Sequence, residues 1–472
     1  MSAERSQADL RELQLFLARL GSAMNAVAEP VYSVQQRLTQ IAAAYGARGA
    51  RIGAYPTTLL ITLGHGESAT LELTTPLSST PRLDQIAALH ELIDDAEHAR
   101  ITPAEGLERL DEIRGMEPRF STIESIGGYA VLTVGLCMIL HPAPKDVANA
   151  AVFGALVGFL RLVTRKQPTL QILMPVLAAF CISALTALSV KHDLADPGLR
   201  AMIAPLVVFL PGAALTTAVL ELAAGEMIAG SSRLVWASVQ LVLLAFGIIA
   251  GIEAVGVPTA AAFSSHDKLL GGWAPWVGVF IFAAGVVVAH SVPRRAIPGL
   301  LVVLYAAWIG QVVGNHLFGP FASGMVGAIV MTPVATVVSR IRGGLPVYAT
   351  FLPGFWLLVP GALSLIGLTE LAGNVHTASS QDFLSAVASI FAVALGVLLG
   401  TQLDEWLGTG YRQLARMEGR LRPSGDELQV VRGPVEPAAP VGGDGDDVLD
   451  ADAEAPGQVD PGLDREAHPR LE

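Results

Sequence analysis

Two carboxylates and one arginine lie close together in the chain, at the junction of two long apolar stretches. Glu221 and Glu226 fall at the end of the stretch 202–222, and Arg233 directly precedes the stretch 234–252. A carboxylate in such a place can take up a proton or hold an ammonium group, and ionisable groups at membrane depth are usually functional. The alternative is an ion pair between Glu221 and Arg233 at the end of the apolar segment. We predict a proton-coupling site formed by Glu221, Glu226 and Arg233.

A second set of residues interrupts apolar stretches with proline and glycine. Proline removes a helical hydrogen bond, and a broken helix exposes amides and carbonyls that can bind a polar solute at membrane depth. The carboxylate of an amino-acid zwitterion would suit the amino end of such a half-helix, with its ammonium near carbonyls. The alternatives are packing kinks and hydroxyls bonded back to their own helix. The predicted binding residues are Pro211, Gly212, Thr216, Thr217, Pro353, Gly354, Pro360 and Gly361.

The remaining polar candidates favour structural roles. Amides inside apolar segments, at Asn149, Gln240 and Gln311, are typical of contacts between helices, and Glu253, Glu370 and Asp404 fall at segment ends. Three histidines, His65, His90 and His98, lie in the polar first part of the chain without a hydrolase or metalloprotease motif. Cys137 and Cys181 have no ligand spacing. No metal or cofactor is expected.

The composition of the chain indicates which type of structure positions these residues. The chain has 472 residues, of which 52% are hydrophobic and 15% charged, and its mean hydropathy is +0.52. A continuous apolar segment can cross a bilayer as a helix when it reaches roughly 20 residues. We predict a polytopic α-helical membrane protein whose ten transmembrane helices cover 123–140, 147–163, 171–190, 202–222, 234–252, 275–292, 297–314, 321–339, 347–368 and 383–403.

The apolar region is flanked by polar segments. Helical and strand patterns in 1–120, with strand candidates at 51–63 and 69–74, predict a small cytoplasmic α/β domain. The acidic, Pro- and Gly-rich tail 423–472 predicts disorder. The predicted divisions between these ends are a first membrane repeat at 121–253, an external loop at 254–274, a second repeat at 275–404 and a cytoplasmic flank at 405–422.

Two short motifs recur in order and indicate an internal repeat. Phe209-Leu210-Pro211-Gly212 recurs 142 residues later at Phe351-Leu352-Pro353-Gly354, and His141-x-x-Pro144 recurs 149 residues later at His290-x-x-Pro293. A loop shortened by seven residues would reconcile the two offsets. Each half would hold five helices, and an odd number of crossings makes the second half inverted. We therefore expect two inverted five-helix repeats.

Basic residues predict the orientation. With the amino terminus inside, four lysines and arginines fall in outer loops, and twelve fall in inner loops and the carboxyl flank. Both termini are thus predicted to be cytoplasmic, in a multi-pass protein of the plasma membrane. The net charge of −12 and the lack of a basic stripe argue against nucleic acid as a partner. The oligomeric state is left open.

The ordered motifs resemble the threonine/serine exporter family of bacterial amino-acid exporters. The resemblance rests on Pro211-Gly212, Leu215-Thr216-Thr217-Ala218, Glu221-Leu222-x-x-Gly225, Gly230-x-x-Arg233-Leu234, Leu352-Pro353-Gly354 and Leu358-Val359-Pro360-Gly361, and covers about residues 10 to 420. It implies secondary active export of threonine or serine, driven by the proton gradient. Two alternatives remain open: a passive channel for small metabolites, and a hydrolase in residues 1–120 anchored by the helices.

Overall fold

The fold was analysed in a computed structural model of the whole chain. It describes residues 7–27, 29–63, 70–74, 81–140, 142–164, 167–192, 199–257, 270–341, 345–358, 388–404 and 406. The predicted tail 423–472, most of the predicted loop 254–274, and His65, Pro360, Gly361 and Glu370 lie outside these residues.

The first 120 residues form four helices and one small sheet. The elements are α1 (Gln7–Ala26), α2 (Val31–Ala44), β1 (Arg51–Tyr55), β2 (Thr58–Leu63), β3 (Thr70–Thr74), α3 (Leu83–Glu97) and α4 (Pro103–Gly115). The sheet is antiparallel in the order β1-β2-β3, with Ile61 opposite both Ile52 and Glu72. The predicted strand 51–63 is in fact two strands, because the chain turns at Pro56 and Thr57. Proline favours such a turn because its φ is fixed.

Apolar spacing and capping residues explain these helices. Leu13, Leu17 and Leu20 of α1 are completely buried in one core with Leu38 and Ile61. Helix α4 begins with a capping box: the Glu105 backbone N–H donates to Thr102 Oγ1 at 3.3 Å, and the Thr102 N–H donates to the Glu105 carboxylate at 2.8 Å. This pair satisfies two amides that the helix leaves free at its start.

Long apolar helices make up the rest of the described chain. They are α5 (Thr122–Ile139), α6 (Pro144–Thr164), α7 (Pro168–Lys191), α8 (Leu199–Leu206), α9 (Gly212–Ala223), α10 (Met227–Val255), α11 (Ala274–Ala289), α12 (Ile297–Phe318), α13 (Pro320–Ser339), α14 (Val347–Leu358) and α15 (Ala388–Asp404). Six segments are long and apolar enough to cross a membrane, and a bent pair, Met202–Phe209 with Gly212–Ala223, makes up to seven. Three shorter apolar helices fall at the other predicted spans, so the number ten stays a prediction.

Glycines let α5 and α11 pack backbone against backbone. A Cβ on Gly278 would lie 2.8 Å from the carbonyl oxygen of Gly135, and one on Gly128 would lie 2.7 Å from the Ala289 nitrogen. Likewise, a Cβ on Gly285 would clash with the backbone of Leu132. As residue numbers rise along α5, those of their contacts fall along α11. The two helices are therefore antiparallel, and they approach too closely for any side chain at these positions.

A second glycine contact occurs twice, 149 residues apart. Gly247 and Gly251 of α10 face Val176, Ala179 and Ser183 of α7, while Gly396 and Gly400 of α15 face Met325, Ala328 and Thr332 of α13. Adding 149 to each residue of the first contact gives the corresponding residue of the second. A Cβ on Gly247 would lie 2.8 Å from the Ala179 Cβ, and one on Gly396 would lie 2.9 Å from the Ala328 Cβ.

The offset of 149 differs from the offset of 142 that pairs Pro211-Gly212 with Pro353-Gly354. Helix α14 runs without interruption through Pro353 and Gly354, so the predicted break at that pair is wrong. A single proline removes only one hydrogen bond, and α8 likewise contains Pro205. At the offset of 149, Leu358 corresponds in sequence to Phe209. In this register the sequence counterpart of Pro211-Gly212 is Pro360-Gly361.

Candidate functional site

The predicted break at Pro211-Gly212 is present. After α8, a 3-10 turn over Val207–Phe209 ends, and α9 starts at Gly212 at an angle of 49° to the preceding helix. The Leu215 N–H donates to the Pro211 carbonyl at 2.8 Å, so the amides of residues 212 to 214 precede the first hydrogen bond within α9. Within the part of the chain that the structure describes, the N-cap residue Pro211 has no side-chain capping bond. Such an amino end carries partial positive charge and suits an anionic group.

Two threonines lie one turn beyond the break and are buried. Thr216 is 0% exposed and Thr217 is 6% exposed. Among the described residues, the Thr216 hydroxyl has no hydrogen-bond partner. A buried hydroxyl without a partner costs free energy, of the order of 1 to 3 kcal/mol. The alternative reading, in which this hydroxyl bonds back to its own helix, therefore does not describe Thr216, which is free to bond a solute.

Glu221 and Arg233 form a buried ion pair. The Arg233 Nε lies 3.1 Å from Glu221 Oε1 and 3.0 Å from Oε2, and donates its hydrogen bond to Oε1. Glu221 is fully buried and the Arg233 side chain is 11% exposed. Glu226, at the start of α10, is half-buried, and within the described residues Arg233 pairs with Glu221 rather than with Glu226. The predicted set of three is thus an ion pair with a second carboxylate, Glu226, nearby.

The ion pair also contacts the first part of the chain. The Val31 N–H donates to Glu221 Oε1 at 3.0 Å, and Val31 is the first residue of α2. The Arg233 guanidinium donates to the carbonyl oxygen of Glu29 at 3.4 Å. A carboxylate at the amino end of a helix satisfies a free amide and is attracted by the helix dipole. Glu221 therefore caps α2 and holds the amino-terminal helices against the apolar ones.

Two glycines, one between α9 and α10 and one in the first turn of α10, make this pairing possible. Gly225 has a φ of +87°, a conformation that favours glycine, and the Glu226 N–H next to it donates to the Glu221 carbonyl at 2.8 Å. A Cβ on Gly230 would lie 2.8 Å from the Ala218 carbonyl oxygen. The close crossing at Gly230 brings Arg233, one turn later on α10, over Glu221.

Glu29 adds a buried carboxylate that the sequence analysis missed. It is 5% exposed, accepts a hydrogen bond from Ser33 Oγ at 2.6 Å and pairs with Arg37 Nε at 3.4 Å. Burial raises the pKa of the Glu29 carboxyl, and the Arg37 charge and the Ser33 hydroxyl only partly offset this. The local signal was limited to the spacing of four between residues 29, 33 and 37. Because Glu29 precedes α2, this spacing does not indicate that its carboxylate is buried.

The other sequence candidates lie apart from this pair or outside the described residues. Pro353 and Gly354 are inside α14, Asp404 pairs with Arg340 at 3.0 Å, and His98 is exposed. Asn149 Nδ2 and Gln311 Oε1 are buried without a hydrogen-bond partner in the described part of the chain. That part also contains no cluster of three or more His, Cys, Asp or Glu able to hold a metal ion.

Comparison with known proteins gives relatives along most of the chain. The protein is 22% identical over 405 residues to the Debaryomyces hansenii "Pheromone-regulated membrane protein 10", covering 82% of this chain and 40% of the relative. It is 21% identical to an uncharacterized protein of Schizosaccharomyces pombe (83% and 55% covered) and 22% identical to the Yarrowia lipolytica "Pheromone-regulated membrane protein 10" (76% and 30%). The chain thus spans about a third to a half of these relatives. No solved structure matches it.

One family matches the region that holds the site. Residues 15–255 match ThrE, described as "Putative threonine/serine exporter". This range contains the broken helix at Pro211, the buried pair Glu221–Arg233 and the α2 amide that Glu221 caps. Together with several apolar helices long enough to cross a membrane, this match, which covers half of the chain, identifies a multi-pass membrane protein that belongs to the ThrE family.

Proposed function

We propose that the protein is a secondary active transporter that exports threonine or serine across the plasma membrane, coupled to the proton gradient. The observation that carries this proposal is the broken helix at Pro211-Gly212, whose free amides lead directly into a half-helix that ends in the buried Glu221. The family description names the same substrates. A solute with both charges fits a site that offers amides at one point and a carboxylate on the same helix.

In this proposal the amide groups at the start of α9 bind the substrate carboxylate. The unpaired Thr216 hydroxyl bonds the substrate, and Thr217 lines the same region. The second half supplies the matching segment Pro360-Gly361, because Pro211-Gly212-Ala213 and Glu221-Leu222-Ala223 both recur 149 residues later, the latter as Glu370-Leu371-Ala372. Pro353 and Gly354 lie on α14, which leads toward that segment. Paired broken helices are a frequent plan of transporter binding sites.

The proposed architecture is an inverted repeat of five plus five helices. Two findings support it: α5 and α11, the first helices of the two halves, pack antiparallel, and the α7–α10 contact recurs at an offset of 149 as the α13–α15 contact. An odd number of crossings per half gives opposite orientations to equivalent helices. Both termini are then on the same side, which the basic residues predict to be the cytoplasm.

Proton coupling is assigned to the Glu221–Arg233 pair, with Glu226 as a nearby acid. Protonation of Glu221 would remove its negative charge, so that the ion pair with Arg233 and the cap on α2 would weaken together. Glu221 lies ten residues after Pro211, about 15 Å along an ideal helix, so it acts at a distance from the bound substrate. The amino-terminal helices then sense the proton through Val31. This gives them a gating role.

Purified protein in proteoliposomes tests the proposal. Labelled threonine or serine is supplied at equal concentration inside and outside the vesicles. An imposed proton gradient should then drive net accumulation of the amino acid on one side of the membrane. A protonophore should abolish that accumulation. Movement that only follows the substrate gradient, with or without the protonophore, would establish a passive channel instead. Absence of any movement of either amino acid, in protein shown to be inserted and folded, would refute the proposal.

A further inference from the structure

A cavity of about 230 Å³ lies between the amino-terminal helices and the ends of three apolar helices. From the first part of the chain it is lined by Val27, Glu29, Arg37, Ile86, Leu89, His90 and Ile93. From the apolar helices it is lined by Thr336, Ser339, Pro346, Val347 and Thr401. Its volume is that of about eight water molecules. An amino acid with a short side chain fits within this volume.

The cavity holds opposite charges side by side. The Glu29 carboxylate, which is almost fully buried, has the Ser33 hydroxyl and the Arg37 guanidinium as partners, the latter at 3.4 Å. Arg37 also lies 3.8 Å from Glu97, and its side chain stays 28% exposed. A buried carboxylate is stabilised by a second cationic donor, and an exposed guanidinium can bind a carboxylate in a bidentate manner.

Three residues with hydroxyl groups line the opposite wall of the cavity. Thr336 donates to the Thr332 carbonyl at 3.1 Å, Ser339 to the Thr336 carbonyl at 2.8 Å and Thr401 to the Leu398 carbonyl at 2.7 Å. Each hydroxyl proton is thus used within its own helix, and the oxygen lone pairs remain. Acceptors grouped near a carboxylate suit a primary ammonium group, while Ile86, Leu89 and Val347 form an apolar wall for a short side chain.

We propose that this cavity is a second binding site for a small zwitterionic α-amino acid, with its ammonium group at Glu29 and the hydroxyls and its carboxylate at Arg37. The identity of the ligand rests on the proposed function. The site is separate from the break at Pro211, but Glu29 joins it to the ion pair, because Arg233 binds the Glu29 carbonyl. A ligand here bridges the amino-terminal helices and α13, α14 and α15, and so stabilises their contact.

Thiol protection tests this site in the full-length protein. In a background where Cys137 and Cys181 are replaced by alanine, Ser339→Cys places a thiol in the cavity wall, and Ser231→Cys places one on the exposed side of α10 as a control. L-Threonine should slow modification of the thiol at position 339 several-fold and leave position 231 unchanged. The decarboxylated analogue 1-amino-2-propanol and the deaminated analogue 3-hydroxybutanoate should protect much less.

Substitutions then separate this site from the transport site. Arg37→Gln and Glu29→Gln should each abolish protection at position 339, while Arg11→Gln and Glu12→Gln, exposed on α1, should keep it. Protection that survives both substitutions, or equal protection by all three compounds, would overturn the proposal. Proton-driven export of threonine without any protection would refute this site and leave the transport function standing. Protection at position 339 without any export of threonine would refute the transport function and leave this site standing.

Discussion

The Glu221 carboxylate accepts a hydrogen bond from the backbone N–H of Val31, which lies 190 residues earlier in the chain. The same oxygen accepts from Arg233 at 3.1 Å. One carboxylate therefore serves as ion-pair partner, helix cap and tether between the first 120 residues and the apolar helices. Substitutions at this position can separate those roles, because a glutamine side chain keeps an acceptor for the amide but not the charge.

The first prediction compares two substitutions of Glu221. Glu221→Gln should abolish uphill export but spare substrate exchange, since exchange needs no net proton movement. Glu221→Ala also removes the α2 cap and the carboxylate acceptor of the buried Arg233, and breaking a buried ion pair in this way costs about 3 to 5 kcal/mol. Thermal unfolding should therefore show a larger fall in melting temperature for Glu221→Ala than for Glu221→Gln. Wild-type rates of gradient-driven export in inserted Glu221→Gln protein would remove Glu221 from the mechanism.

The second prediction concerns Arg233. Arg233→Gln leaves the Glu221 carboxylate buried without a counter-charge, and removes the donor to the Glu29 carbonyl. If the pair is the working unit, this variant should lose uphill export as completely as Glu221→Gln. Export that remains half-maximal or better in Arg233→Gln would mean that the carboxylate acts alone. Proteoliposome export assays at matched protein density make the comparison.

The third prediction uses the close crossing of α9 and α10. Gly230→Ala places a methyl group 2.7 Å from Leu222 Cγ and 2.8 Å from the Ala218 carbonyl oxygen, so the helices must separate. Overpacking of this kind costs typically about 1 to 3 kcal/mol. We expect lower thermal stability and loss of proton-coupled export. Gly127→Ala is the matched control, because a Cβ there meets nothing within 4 Å. Equal melting temperatures and equal export in the two variants would contradict the close contact between Gly230 and α9.

The fourth prediction concerns pH and His90. Burial and the Arg37 charge lower the pKa of His90 below its usual 6.5, and Asp94 only partly offsets this. The unfolded chain therefore binds a proton first as the pH falls, and stability is lost below about pH 6.5. His90→Gln should reduce the fall in melting temperature between about pH 7.5 and about pH 5.

Glu29 shifts the same pH profile in the opposite direction. Its raised pKa gives a contribution that is present below the usual carboxyl range and is lost as the pH rises through the folded value. Removing it by Glu29→Gln should therefore steepen the fall in melting temperature on acidification, whereas His90→Gln flattens it. Identical pH profiles of these variants and the wild type would show that neither group is buried as described.

The fifth prediction tests orientation by cysteine labelling. The positive charges predict that position 264 faces the outside and position 424 the cytoplasm. In a cysteine-free background, a thiol introduced by Ser264→Cys should react with an impermeant reagent added to intact cells. A thiol introduced by Ser424→Cys should react only after the cells are opened. The opposite pattern would invert the topology.

Local sequence patterns predicted the apolar helices and the break at Pro211, because each depends on residues close together in the chain. The pairing of Glu221 with Arg233 was one of two alternatives that the sequence left open. The bond to Val31 and the buried Glu29 depend on which faces meet after folding, so they could not be predicted. The sequence motif paired Pro211-Gly212 with Pro353-Gly354 at an offset of 142, whereas the glycine contacts between α7 and α10 and between α13 and α15 recur at an offset of 149.

The glycine-lined packing of α5 against α11 has a mechanical consequence. Helices slide past each other through layers of side chains that can change rotamer, and here no such layer exists because backbone meets backbone. We expect α5 and α11 to behave as one rigid strut during the transport cycle. Motion is then left to the hinge at Pro211, where α8 and α9 already differ in direction by 49°.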